Sequence, residues 1–324
     1  MNNGLLQPKT IIELNDNNAR KRYNPDITCY DIMHGERKVA EINMRGEAAI
    51  LDEKFIPYDL YLENDRDFDT LINNMNNFYH WCASRVLSLD RKYAKEILNS
   101  IGMAQAMTDR DRAKIALSYH CVSLTDIYWV KKSDEDISYE KINLYDNSLN
   151  EAVVELSLRG KPMTVTNQEL APDLSTKGCF PKAWIRRGKD FILLKDGGDD
   201  AVQKELLASR LCQCFDFKQV KYDEDFYDGQ KVTQSKMITF RQYSIVSKMA
   251  FEIYALNHDL NVLNECLRID KKTQREAAIE AVRHVGMHQI KDIEEEIFED
   301  MTEWKEMFFR RLEELKNAVD TSVF

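Results

Sequence analysis

STKGCFPKAWIRRGKDFILLKDGGDDAVQKELLASRLCQCF, residues 175–215, is the stretch whose reading decides the fold. Ala183-Trp184-Ile185 and Phe191-Ile192-Leu193-Leu194 carry strand-type apolar patterning, and Gly188-Lys189-Asp190 is a short turn between them. Lys195 closes the second strand. Gly197 and Gly198 then break the pattern, after which Glu205, Leu206, Leu207, Ser209, Leu211 and Cys212 fall into helical periodicity. The order is therefore loop, strand, turn, strand ending in a lysine, and a helix carrying a glutamate near its start.

That order matches the half of a kinase that holds nucleotide phosphates. Such a lobe covers the phosphates with a glycine-containing loop, reaches them with a strand lysine, and fixes that lysine with a helix glutamate. The G-x-G-x-x-G pattern is absent from the chain. The segments S-T-K-G-C-F-P-K (residues 175–182), I-L-L-K (192–195) and E-L-L-A-S-R-L-C-Q-C-F-D-F-K-Q-V (205–220) together resemble the N-lobe of HipA-type serine/threonine kinases. In that family a loop of the form S-x-x-G-x-x-x-K opens on a serine whose autophosphorylation silences the enzyme. The resemblance implies that Ser175 is the loop serine, Gly178 the loop glycine, Lys182 the loop lysine, Lys195 the ATP lysine and Glu205 its helix partner. The cofactor implied is ATP with Mg²⁺. An ordinary hairpin packed on a helix is the alternative reading of the same residues.

The resemblance extends upstream. Residues 122–130, V-S-L-T-D-I-Y-W-V, are similar to a motif preceding the kinase lobe in a HipA-like subfamily of bacterial and mobile-element proteins, and residues 142–147 fit the same subfamily. There Trp129 and Tyr128 are expected to bury area and Asp126 to cap or bond nearby backbone, a packing role.

Downstream the resemblance stops. Phosphoryl transfer requires a hydroxyl-orienting Asp and metal-bound phosphates. The family supplies these as N-x-D-x-H-x-x-N and a later D-N or D-x-x-N, and neither is found. Residues 257–261, N-H-D-L-N, have the residue types in the wrong order. Helical patterns stand there instead, at 244–256, 260–267, 272–285 and 290–319. The last places Ile293, Ile297, Met301, Trp304, Phe308, Leu312 and Leu315 on one stripe, as a long helix or a broken pair. Exposed Trp304, Phe308 and Phe309 would mark a docking surface. Glu280, His284 and His288 recur every fourth residue, but no fourth metal ligand accompanies them.

The expected fold class is α+β, in four parts. Residues 1–28 form a polar arm with the basic cluster Arg20-Lys21-Arg22. Residues 29–147 form a β-hairpin plus helical N-terminal subdomain, residues 148–240 a kinase-like N-lobe, and residues 241–324 an all-helical C-terminal region. Within the subdomain, strands are expected around 30–33, 39–42 and 48–51, with His34 exposed in the first turn. A helix from Asp67 should bury Phe68, Leu71, Ile72, Met75, Phe78, Tyr79 and Cys82. A second is expected over 91–101 ending at Gly102, and a third over 109–119 capped by Thr108 with Asp111. In the lobe, strands at 217–222 and 231–238, separated by an acidic turn at 223–229, would complete a five-stranded sheet.

Composition limits the partners. The chain of 324 residues is 44% apolar and 31% charged, as folded proteins are, and its net charge of −10 disfavours a general nucleic-acid binder. The same balance disfavours reading the three short helices as a helix-turn-helix. No apolar run could cross a bilayer and no signal-peptide pattern opens the chain, so the expected location is cytoplasmic. Seven cysteines without metal-ligand spacing fit reduced thiols, and Cys212 and Cys214 should point apart. Two functional classes follow. One is a kinase-like protein that binds a protein partner through its C-terminal helices, or self-associates through them, in a phage or mobile-element, antitoxin-like or anti-defence setting. The other is an active serine/threonine kinase whose C-lobe residues are unrecognised or supplied by a partner.

Overall fold

The computed structural model describes residues 27–100, 108–146, 151–160, 178–214, 219–241, 244–247, 250–251 and 295–321. Several expectations lie outside these residues: the arm up to residue 26, the helix stop at Gly102, Ser175, the helical patterns from 252 to 294, the N-H-D-L-N segment, and Glu280 with His284 and His288. The described chain is a mixed α and β protein built on two four-stranded antiparallel sheets.

The first sheet comprises β1 (Cys29–His34), β2 (Arg37–Asn43), β3 (Ala48–Ile50) and β4 (Tyr128–Lys132), in the order β3-β2-β1-β4. β1 and β2 pair as a hairpin with a register shift between Ile32 and Met33, adjacent Val39 and Ala40 are both buried, and β4 returns to pair β1 along Tyr30↔Lys132 to His34↔Tyr128. Trp129, fully buried, donates its indole N–H to the Gly35 carbonyl at 2.6 Å and so locks β4 onto the β1–β2 turn. His34 is not an exposed turn residue. Its ring is half-buried between Phe55 and Tyr128, with centroids 5.0 and 4.9 Å away, and burial holds its pKa below the ordinary histidine value.

Three helices pack with this sheet, α1 (Phe68–Ser84), α2 (Ala94–Ser100) and α3 (Asp109–Ser118), and a one-turn α4 (Tyr139–Ile142) follows β4. Asp67 caps α1 by accepting from the Asp69 and Thr70 amides. Thr108 caps α3 by accepting from the Asp111 amide, while its hydroxyl donates to the Asp111 carboxylate. The buried face of α1 differs from the expected stripe. Phe68 is 75% exposed and Ile72 is also exposed, whereas Thr70, Asn74, Phe78, Trp81, Cys82 and Ala83 are buried. The cause is Asn74. Its amide donates to the carbonyls of Gly46 and Glu63 and accepts from the Glu63 amide, so a polar residue occupies the inner face. Gly46 has φ +85°, and a Cβ there would lie 2.0 Å from the Leu71 carbonyl oxygen; only glycine lets the β2–β3 turn rest on α1.

The second sheet comprises β5 (Lys182–Arg187), β6 (Asp190–Lys195), β7 (Tyr222–Tyr227) and β8 (Gln230–Lys236), in the order β5-β6-β8-β7. It has four strands among the described residues, where five were expected. The acidic segment expected as a turn is itself β7. Its carboxylates are satisfied as on a charged edge strand: Glu224 pairs with Lys231, Asp225 with Arg187 and Asp223 with Lys221. The turn is Asp228-Gly229, both at positive φ. One face of the sheet packs on α5 (Glu151–Arg159), where Val154 and Leu158 meet Ala183, Ile192, Leu194 and Val232. The opposite face meets α6 (Asp199–Cys212), whose Glu205 accepts from the Thr233 hydroxyl at 3.0 Å. Cys212 ends α6 half-buried, and the Cys214 thiol beyond it points back to the Arg210 carbonyl.

α5 ties the two sheets together, because its Leu156 belongs to the core cluster of the first sheet while Val154 and Leu158 belong to that of the second. Phe191 and Trp184 also pack against the first cluster, and the Tyr145 and Phe191 rings meet edge-on at 6.2 Å. From residue 295 onward the helix expected over 290–319 is not continuous. A 3₁₀ turn (Glu295–Phe298) precedes α7 (Thr302–Thr321), and fully buried Phe298 stacks on Phe308 and Phe309. Of the three aromatics expected to be exposed, Trp304 is exposed while Phe308 and Phe309 are half-buried. Among the described residues, no helix is long and apolar enough to cross a membrane.

Candidate functional site: a lysine and arginine cluster at the end of the second sheet

Antiparallel register sets the site. Lys182, first residue of β5, lies opposite Lys195, last residue of β6, so both side chains emerge on one sheet face at one end of the hairpin. Thr233 of β8 is opposite Lys195 in the next ladder and shares that face. Over this row runs α6. Glu205 forms an ion pair with the Lys195 ammonium through Oε1 and accepts from the Thr233 hydroxyl through Oε2, so one carboxylate joins two strands and the helix.

The loop that delivers α6 is held from behind. Asp196 is paired with Arg159 at the end of α5, accepts from the Gly198 amide at 2.9 Å, and donates its own amide to the Pro181 carbonyl. Arg159 also donates to the Tyr227 carbonyl at 2.6 Å. The direction of α6, and with it the position of Glu205, is thereby tied to β6, β7 and α5. The Phe180 ring stands 5.3 Å from the Lys195 ammonium and close to Gly197.

Lys182 is buried, at 6% exposure. Its ammonium lies against Gly178, where an added Cβ would be 2.5 Å away; Gly178 also has φ +103°, a conformation side chains disfavour. Burial, then the neighbouring charges of Arg91 and Lys195, pull the Lys182 pKa down to about 8. Asp90 and Cys179 act in the other direction. Arg91 comes from the segment between α1 and α2. It is 2% exposed and donates to the Lys182 carbonyl. The same segment contacts the glycine loop twice more, through the Lys92 amide to the Cys179 carbonyl at 2.9 Å and the Gly178 amide to the Ser88 hydroxyl at 3.4 Å.

Of the residues singled out by sequence, Gly178, Lys182, Lys195 and Glu205 are brought together, and Ser175 lies outside the described residues. Arg91, Phe180, Asp196 and Thr233 belong to the same neighbourhood and were not picked out. Phe180 and Asp196 adjoin the recognised residues in sequence. Arg91 lies far away in the chain, and nothing in its spacing signals it.

A cavity of about 250 Å³ opens between the first sheet's loops and the second sheet. Its walls include Tyr58, Asp59, Arg85, Asp126, Tyr128 and Trp184. Trp184 is two residues along β5 from Lys182, hence on the same sheet face about 7 Å farther on. Asp126 receives both Arg85 terminal nitrogens at 2.9 and 2.7 Å and the Tyr128 amide at 2.9 Å. It bonds nearby backbone, as expected of it. Arg85 further donates to the Cys121 and Tyr128 carbonyls.

The cationic set has the chemistry of a polyphosphate site: two ammonium groups and a guanidinium of high burial, beside a glycine loop and the start of a helix. No group of three or more His, Cys, Asp or Glu side chains is placed to hold a metal ion among the described residues. No protein-family model, curated protein or solved structure matches the chain.

Proposed function

We propose that the second sheet with α6 is a nucleotide-binding lobe of HipA-like kinase type, and that the chain works by binding a protein partner and does not itself transfer phosphate. The Lys195–Glu205 ion pair, braced by Thr233, carries the reading. In a kinase lobe a strand lysine held by a helix carboxylate positions the α- and β-phosphates. Lys182 beside Gly178 would add a second cation to the phosphates. ATP supplies the adenine and phosphate contacts; Mg²⁺ would have to enter with the nucleotide or be held by residues outside those described. The missing N-x-D-x-H-x-x-N sequence motif supports binding without transfer.

Partner binding is supported by α7, which exposes Trp304 and Met307 and follows a turn that meets α6, where Arg210 pairs with Glu299. With no catalytic-lobe sequence motif found from 241 onward, the protein suits an antitoxin-like, anti-defence or other phage or mobile-element regulatory role.

Two assays test this. Titration with ATP followed by thermal unfolding should raise stability by roughly 2.7 kcal/mol at one hundred times Kd, and Lys195→Ala should abolish the rise. Incubation with γ-labelled ATP and Mg²⁺ should leave the chain unlabelled. Label on Ser175 that disappears in Lys195→Ala would overturn the binding-only reading in favour of an active serine/threonine kinase, while no ATP-dependent shift would remove the nucleotide reading altogether.

A further inference from the structure

We infer that the cavity between the first sheet's loops and the second sheet is a binding site for a small organic ammonium, with Asp59 as its counter-charge and Tyr58, Tyr128 and Trp184 as aromatic walls. The inference stands apart from the lysine and arginine cluster and does not rest on the nucleotide reading.

Charge decides the sign of the ligand. The charged groups lining the cavity are Asp59, Asp126 and Arg85. The Arg85 nitrogens are already committed: Nη1 and Nη2 both donate to Asp126, Nη2 also to the Tyr128 carbonyl, and Nε to the Cys121 carbonyl. Asp126 is neutralised by that pair and accepts from the Tyr128 amide as well. Asp59 remains, half-buried, and its carboxylate has no hydrogen bond or ion pair among the described residues. The walls therefore carry one negative charge in excess, and an entering cation can take Asp59 without displacing another partner. An anion would be repelled by the same group.

The rings and the rim decide what body the cation has. A cation over an aromatic face gains most where water is partly excluded, and this cavity already contains one such pair, with the Arg85 guanidinium 5.0 Å from the Trp81 ring centroid. Burial first, then the charges of Asp126, Tyr58 and Asp59, holds the Tyr128 phenol above its ordinary pKa, so it is a neutral hydroxyl within the field of Asp59. Ile245 and Val246 complete the lining and are exposed, and the Ile245 amide donates to the Thr125 carbonyl at 2.9 Å, which fixes that segment as a wall. An ammonium carried on a short hydrocarbon or aromatic body matches both the charged and the apolar parts. At about 250 Å³ the space falls below that of pockets for drug-sized molecules, which limits the ligand to a small amine.

The experiment is calorimetric titration of the full chain with phenethylamine, with hydrocinnamate as a carboxylate of similar shape, and with Nα-acetyl-lysine amide as the stand-in for a partner protein's side chain. Phenethylamine is expected to bind and hydrocinnamate to fail. Asp59→Asn keeps the size of the side chain and removes its charge, and should weaken phenethylamine at least tenfold. Failure of phenethylamine to bind the wild type, equal binding of hydrocinnamate, or wild-type affinity in Asp59→Asn would overturn the inference. Tighter binding of the lysine amide than of phenethylamine would overturn the assignment to a free small molecule. Should Asp59→Asn not fold, the wild type decides: phenethylamine affinity should fall as salt is added, and a salt-independent affinity would refute the role of Asp59.

Discussion

Replacing Asp126 by alanine tests whether the Arg85–Asp126 pair is the lock between α1 and the loop that leads into β4. Arg85 is 8% exposed and Asp126 13%. Burial opposes the charge on Arg85, yet the adjacent carboxylate more than offsets it, and its pKa stands above the ordinary arginine value. Deleting one partner of a buried pair costs about 3–5 kcal/mol, because the other charge stays behind without compensation. Arg85 would keep the Cys121 and Tyr128 carbonyls as acceptors, which places Asp126→Ala near the lower bound, about 3 kcal/mol. For chains somewhat shorter than this one that corresponds to a fall in Tm of about 6–12 °C. Urea unfolding of the wild type, Asp126→Ala, Arg85→Met and the double variant would give the coupling energy directly, and it should exceed about 1.5 kcal/mol. A cost below about 1 kcal/mol for Asp126→Ala, the ceiling for solvent-exposed pairs, would refute the reasoning.

Two further outcomes follow from the geometry. Trp129→Phe should destabilise the chain by about 1–3 kcal/mol, because the Gly35 carbonyl loses its indole donor in a buried setting; unfolding by urea would show it, and an unchanged midpoint would mean water replaces the bond. Tripolyphosphate affinity should be pH-dependent. Burial, with the charges of Arg91 and Lys195, pulls the Lys182 pKa down to about 8 against Asp90 and Cys179. A bound phosphate favours its ammonium form, so affinity should fall as pH rises above that value and binding should take up a proton there. Without ligand the sign is opposite to that of a stabilised lysine. The depressed pKa costs stability in full below about 8 and the cost lifts as pH climbs toward the ordinary lysine value. Calorimetry in two buffers of different ionisation enthalpy reads the proton uptake, and a pH-independent affinity that is the same in Lys182→Met would refute it.

Much of the local structure was legible in the chain. Apolar patterning gave the β1–β2 hairpin and the helix starting at Asp67, side-chain chemistry gave the Thr108 cap, and the strand lysine and helix glutamate of residues 175–215 do meet. Hydrophobic patterning failed where polar groups do structural work. Asn74 turned the inner face of α1 because it satisfies three backbone groups of two loops, and a periodicity of apolar residues does not register that. The sequence YDEDFY reads as a turn by charge, yet an edge strand tolerates and even favours carboxylates, and basic neighbours on β5 and β8 were available to pair them. Arg91 and the Arg85–Asp126 pair were illegible for another reason. Each is defined by a contact across a long separation, and neither residue type nor spacing specifies the partner.

The position of β4 orders events during synthesis. β1 is an inner strand only because Tyr128–Lys132 completes its second edge, after three helices have intervened in the chain. Until residue 132 has emerged, β1 offers a row of unsatisfied amides and carbonyls, and the pocket that Trp129 fills is open. Such an edge is the type that recruits strands from other chains. A nascent or truncated polypeptide that stops short of Lys132 would therefore present β1 as adhesive surface, and the protein's solubility during expression depends on a segment far downstream of the hairpin it protects.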